Sequence, residues 1–302
     1  MKHTLNITII LLLSYIAAQI VGLSLISLDM EAHEVDGVVH VDYQETAIGP
    51  RPPMKGMGAF IYLLIGVGIG TMLILLIIKL SKFTIWKYWF LLASFLAMAL
   101  ALGVIMPSKL ALALALILAL FKVFRSNIIL HNLTEILMYS GIGVFLVPML
   151  DLKWASIMLL AFSAYDAYAV WKSKHMVKMA KFQAESNLFA GITVPYKFEK
   201  NHKIKLTEGA KKGKKGTGKL RTAILGGGDL AFPLIFTGAV MEWLVRSGLT
   251  KTQALYQSLI VTFFSAAALL LLFYLADKEK FYPAMPFISA GCFLGLAIVW
   301  II

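Results

Sequence analysis

Phe162-Ser163-Ala164-Tyr165-Asp166-Ala167, set inside an apolar run from 154 to 171, decides how this chain is read. It puts a carboxyl group in a stretch able to cross a bilayer. A second carboxyl, Asp229, follows three glycines in Gly226-Gly227-Gly228-Asp229-Leu230, inside the next apolar run, 222–245. A carboxylate at the centre of a membrane helix costs about 2.5–3.5 kcal/mol on insertion scales, so it needs a partner or a task. Two of them on consecutive runs make a pair the natural expectation.

The rest of the chain has the composition of a polytopic membrane protein. Of its 302 residues 60% are hydrophobic and 15% charged, with a mean hydropathy of +0.82. A soluble domain carries about 25% charge. The apolar runs are continuous rather than alternating, so they read as helices and not as barrel strands. They fall near 4–28, 57–78, 88–106, 110–121, 128–150, 154–171, 222–245, 254–276 and 283–302. The fourth, between Lys109 and Lys122, has about 12 residues where a crossing needs about 20, and snorkelling of both lysines lets it span. The first run is too long for a signal-peptide core and lacks a small-x-small cleavage site before Asp29, so it reads as a span. The expected fold is an all-α membrane protein of nine transmembrane helices. Helices 1–6 occupy 1–171, a basic cytoplasmic loop occupies 172–221, and helices 7–9 occupy 222–302.

Charge sets the orientation. The net charge is +12, but fourteen of the 28 basic residues lie between Lys172 and Arg221. That is a solvated loop rather than a nucleic-acid surface. With the N-terminus inside, only Arg51, Lys55, Lys109, Lys153, Arg246 and Lys251 fall in outside segments. The positive-inside rule therefore predicts a cytoplasmic N-terminus and an outside C-terminus. The first external loop, 29–56, is acidic, which agrees.

In the long loop, Val194-Pro195-Tyr196-Lys197-Phe198 and Lys203-Ile204-Lys205-Leu206 alternate weakly, a pattern for short strands. The Gly/Lys tract 209–219 is low-complexity and expected to be disordered. Its Gly213, Gly218 and Lys219 match the spacing of a phosphate-binding loop. Leu220 stands where the magnesium-binding hydroxyl belongs and no buried strand precedes the tract, so nucleotide binding is not expected. The single cysteine, Cys292, excludes a disulfide or a thiolate metal site. His131 with Glu135, and Glu242 with Arg246, stand one helical turn apart and read as local pairs; a metal centre needs more ligands than these.

Asp166 lies six residues before Lys172 and Asp229 eight residues after Arg221. At the helical rise these are depths of about 9 and 12 Å from one membrane face, so the carboxyls can meet. Ser163, Ala164 and Ala167 are small, as close helix contacts in lipid prefer. Glycines cost about 1 kcal/mol each in a helix interior, so Gly226–Gly228 marks a loosened or closely approached backbone. The plain alternative is that each aspartate only hydrogen-bonds a neighbouring helix. Held together, two carboxyls share a proton and titrate as a coupled pair. One can take a proton from water as it attacks a peptide carbonyl; the other, protonated, polarises that carbonyl and protonates the leaving nitrogen. Tyr165 can support such a pair by a hydrogen bond, or simply pack beside it.

Tyr165-Asp166 and Gly226-Gly227-Gly228-Asp229 resemble the Tyr-Asp and Gly-x-Gly-Asp motifs of presenilins and signal peptide peptidases. Pro283-Ala284-Met285 is similar to their Pro-Ala-Leu motif, with methionine for leucine. Order and placement agree, so the resemblance covers the whole chain; the orientation and compactness are similar to those of an archaeal presenilin homologue. It implies a GxGD-type aspartic endopeptidase with Asp166 and Asp229 catalytic. Tyr165, Gly226, Gly228, Pro283, Ala284 and Met285 would support the site or position substrate. It implies no cofactor and no metal. Its partners would be single-pass membrane proteins or peptides as substrates and the lipid bilayer, without nucleic acid, in the cell membrane of an archaeon; a homo-oligomer stays open. The substrate helix must unwind to be cut, and its freed backbone could pair with Ile204-Lys205-Leu206 or with the stretch around Met285. Pro283 and Pro286 lack amide protons and leave backbone there free.

Two other classes use the same residues. A proton-coupled transporter or ion-leak channel relays protons over membrane carboxylates, although inverted repeats are not evident in the sequence. Prepilin peptidases share a Gly-x-Gly-Asp motif, but here both aspartates lie within spans flanking a long loop.

Overall fold

The structure is a computed structural model that describes residues 4–80, 83–125, 127–173, 188–195, 222–276 and 282–302. Among these residues the helices run in the order α1 (Leu5–Asp29), α2 (Met57–Lys79), α3 (Phe83–Gly103), α4 (Ser108–Arg125), α5 (Ile128–Leu146), α6 (Leu152–Tyr168), α7 (Gly228–Arg246), α8 (Lys251–Leu275) and α9 (Met285–Ile301). Six of them are long and apolar enough to cross a membrane: α1, α2, α3, α5, α7 and α8. The shorter α9 is apolar over 17 residues. Two antiparallel hairpins complete the architecture, β1 (Met30–Val35) with β2 (Val38–Tyr43), and β3 (Gly191–Pro195) with β4 (Thr222–Gly226).

Helix α7 is the axis of the bundle. Fourteen of its 19 residues are buried, because α1, α5, α6, α8 and α9 all pack on it. Polar side chains lock this arrangement where lipid offers no hydrophobic drive. Tyr15 of α1 donates to Ser265 Oγ of α8 at 2.8 Å, and Gln19 of α1 donates to the Leu230 carbonyl of α7 at 3.0 Å. The first apolar run is thus an integral part of the core. Helices α8 and α9 meet along Gly291 and Gly295, where an added Cβ would fall 2.5 Å from the Phe264 carbonyl oxygen and from Val261 Cα. Helix α2 is at the opposite extreme: its apolar window buries nothing, and its main helix neighbours among the described residues are α3 and α6.

One end of the bundle is tied by charge. Arg51 donates to Asp29 at 2.6 Å and to the carbonyls of Gln44 and Val144. Glu242 receives Arg246, one turn on in α7, and the Tyr43 hydroxyl at 2.7 Å, which docks the β1–β2 hairpin on the end of α7. The Glu242–Arg246 pair expected from spacing is present. Lys251 donates to the Ser27 and Met30 carbonyls at the end of α1. The hairpin itself lies inside a segment read only as an acidic loop. Its turn is Asp36-Gly37 at φ 53° and 77°, a two-residue turn that positive φ makes natural for this dipeptide.

Three sequence expectations change. The fourth run is not a 12-residue stretch ending in snorkelling lysines: α4 has 18 residues, and Lys122 is buried at 2% exposure because Glu135 lies beside it. The seventh run does not begin as a helix at 222. Residues Thr222–Gly226 are strand β4, and the helix starts at Gly228, since the glycines disfavour helix and Gly191–Pro195 supplies a strand partner. The strand expected around Val194 is present but begins earlier, at Gly191. Ile204-Lys205-Leu206 and the 209–219 tract lie outside the described residues.

Candidate active site

Asp166 is carried by the last turn of α6, which continues into a π-helical turn, Ala169–Ser173. Asp229 sits in the first turn of α7, directly after β4. It is therefore not two turns into a helix, and the depth from helical rise does not apply to it. The aspartates nevertheless converge: Asp229 lies within reach of the Asp166 charge. One turn away from each, Phe162 of α6 and Phe232 of α7 stack with ring centroids 4.1 Å apart. This apolar contact fixes the two helices against each other one turn from both aspartates.

Each carboxyl is held by backbone amides. The Met285 N–H donates to Asp166 Oδ2 at 3.2 Å, and the Ala284 N–H contributes as well. These amides are available because they open α9, where the first N–H groups have no helical acceptor. The Pro-Ala-Met segment thus meets Asp166 directly, with Ser163 and Ser289 hydroxyls 2.5 Å apart sealing α6 to α9 one turn further on. On the other side, the Gly226 N–H bonds Asp229, and a Cβ on Gly226 would fall 3.2 Å from Asp229 Oδ2.

The remaining expected residues sort by position. Gly228 opens α7, and a Cβ there would make only ordinary contact with Phe232 at 3.4 Å. Pro283 and Ala284 directly precede α9. Tyr165 is 40% exposed on the flank of α6. Gly227, not singled out from the sequence, is the tightest of the three glycines. A Cβ on it would overlap the Tyr139 hydroxyl of α5.

Strand β3 is held from α5. The Asn132 side chain both donates to the Thr193 carbonyl at 2.9 Å and accepts the Thr193 N–H at 3.0 Å, so it occupies the outer edge of β3 as a strand would. Because Thr193 faces Asn132, its partner Ile224 turns its own N–H and C=O to the opposite edge of the hairpin. Among the described residues no strand pairs with β4 on that edge. Groups of three or more metal-ligating side chains are absent among the described residues.

The family model described as signal-peptide peptidase, presenilin aspartyl protease matches residues 8–302. The chain belongs to this family. Its fold is similar to that of a presenilin-family intramembrane aspartate protease solved in space group C222, at a TM-score of 0.60 and 16% identity, over 97% of this chain and 98% of that one. A presenilin-family intramembrane aspartate protease in space group P2 gives a TM-score of 0.56 at 16% identity, over 99% and 97%. No curated protein sequence matches the chain significantly. The chain is accordingly an integral membrane protein with the presenilin-type intramembrane aspartyl protease fold.

Proposed function

We propose that this family member is a GxGD-type aspartic endopeptidase that cuts single-pass transmembrane helices with Asp166 and Asp229 as its catalytic pair. The observation that carries the reading is the convergence of the two carboxyls one turn from the Phe162–Phe232 stack, each anchored by backbone N–H groups. Two carboxyls brought close together share one proton, which supplies a base for the attacking water and an acid for the leaving nitrogen. Local unwinding of the substrate exposes amides that must be paired within the bilayer. The outer edge of β4 offers the N–H and C=O of Ile224 for that pairing, two residues before Gly226 and its contact with Asp229. A substrate strand added there runs past Asp229 and faces Asp166. The enzyme works in the bilayer without a cofactor, on membrane proteins or peptides.

The test is mass spectrometry of products from a purified single-span substrate in lipid. Asp166→Asn and Asp229→Asn each keep the fold and lower cleavage by about 10²–10⁴-fold or more, the range for loss of a general acid or base. Full activity of either variant refutes the assignment.

A further inference from the structure

A second buried charge cluster is linked through Tyr139 to the turn before Asp229 and takes no part in the chemistry above. Lys122 of α4 and Glu135 of α5 are paired at 2.6 Å with both side chains 0% exposed. Lys122 also donates to Thr134 Oγ1 at 3.0 Å and lies 3.5 Å from His131 Nδ1. The other Glu135 oxygen accepts the Tyr139 hydroxyl at 2.5 Å. A buried ion pair is a weak source of stability, since well-packed apolar residues in its place are often neutral or better. Its retention asks for another reason.

His131, Glu135 and Tyr139 follow one another at four-residue spacing and share one face of α5. That face looks onto the two chain segments that deliver Asp229. An ammonium only donates, so Lys122 leaves His131 Nδ1 as acceptor and Nε2 as the N–H that reaches the Gly191 carbonyl at 2.9 Å. Gly191 is the register partner of Gly226. At the other end of the ladder, the Tyr139 ring lies against Gly227, whose N–H in turn bonds the Ala190 carbonyl at 3.2 Å. The two ends of the ladder therefore grip β3 and the Gly-Gly turn, and the Lys122–Glu135 pair stands between them.

We infer that Lys122, Glu135 and Tyr139 are positioning residues that set the height of Gly227 and thereby the place of the Asp229 carboxyl relative to Asp166. The inference rests on the protease reading. Glu135 fixes the Tyr139 hydroxyl, the ring fixes Gly227, and Asp229 follows two residues later. The effect reaches the chemistry through the backbone, without contact between Glu135 and substrate.

The test uses the purified full-length protein in lipid. It compares wild type with Tyr139→Phe, Glu135→Gln and the double variant Lys122→Met/Glu135→Leu, which removes both charges together. Four quantities are read: melting temperature, kcat and KM on a single-span substrate, and affinity for a hydroxyl-bearing tetrahedral mimic that spans both aspartates. A misplacement near 1 Å costs about 100-fold, so kcat and mimic affinity are expected to fall by about 10- to 100-fold in Tyr139→Phe and in the double variant, with KM within about twofold. Lys122→Arg, which keeps the charge, restores more of kcat than Lys122→Met. Variants that melt lower but keep wild-type kcat per folded molecule show a scaffold only and overturn the inference. So does a folded double variant with wild-type kcat. If wild type itself does not cut, the protease reading fails instead.

Discussion

Gly227→Ala is the sharpest perturbation the site offers, because its cost is purely steric. Gly227 has φ −67° and ψ −31°, a conformation open to any residue, so alanine brings no backbone strain. Its new Cβ, however, would stand 2.6 Å from Tyr139 Cζ and 2.8 Å from Cε1. Ordinary carbon contacts lie at about 3.5–4.0 Å, so ring and turn must part by about 1 Å. Tyr139 cannot yield freely, since its hydroxyl is bound to buried Glu135, so much of the shift passes to the turn that carries Asp229. Overpacking of this kind costs about 1–3 kcal/mol in stability. A displacement of about 1 Å at the carboxyl costs about 100-fold in rate. The assay pairs a thermal melt with cleavage of a single-span substrate. Removing the ring in Gly227→Ala/Tyr139→Val is expected to relieve the melt. A Gly227→Ala protein with wild-type melting temperature and kcat would refute the proposed packing of Tyr139 on the turn.

Other predictions concern the frame. Arg51→Ala strips the partner from Asp29, which is 3% exposed, and is expected to cost about 2 kcal/mol as a lost charged hydrogen bond; denaturation of the lipid-reconstituted protein measures it. Gly295→Leu drives a side chain into Val261 and should part α8 from α9, seen as a melting temperature well below that of Gly66→Leu, where the space is open. Tyr43 has its phenol pushed well above the ordinary range by burial first and by the neighbouring Glu242 charge second. The folded state then holds that proton more tightly than the unfolded chain, so the contribution is complete below about pH 10 and is lost as pH rises beyond it. Melting temperature should fall less steeply above that pH in Tyr43→Phe; an unchanged slope counts against the burial of this phenol.

The membrane fold was legible because long apolar runs leave helix as the available structure, and eight of the nine runs coincide with helices to within a few residues. The run from 222 departs from helix at its start for a physical reason. Thr222-Ala223-Ile224-Leu225 is as apolar as a helix turn, and only pairing with Gly191–Pro195, far upstream, makes it a strand. The glycine triplet did signal a special backbone, yet which glycine lacks room depends on Tyr139, which the sequence does not connect to it. His131 and Glu135 read as a pair at i, i+4, and one further step of the same spacing reaches Tyr139. Lys122 looked like an interfacial lysine because its partner lies on the next helix. The Asp36-Gly37 dipeptide between valines is a hairpin signal that the acidic composition of its segment obscures.

The hairpin of β3 and β4 closes the chain on itself at Gly191–Gly226 and Pro195–Thr222. This stem is fastened at its base by Asn132 and His131 of α5. A chain interval closed at both ends in this way pays its closure entropy once, and doubling its length would add only about 0.6 kcal/mol. Insertion between Pro195 and Thr222 is therefore expected to leave the β3–β4 register unchanged, which hydrogen exchange of the strand amides would read.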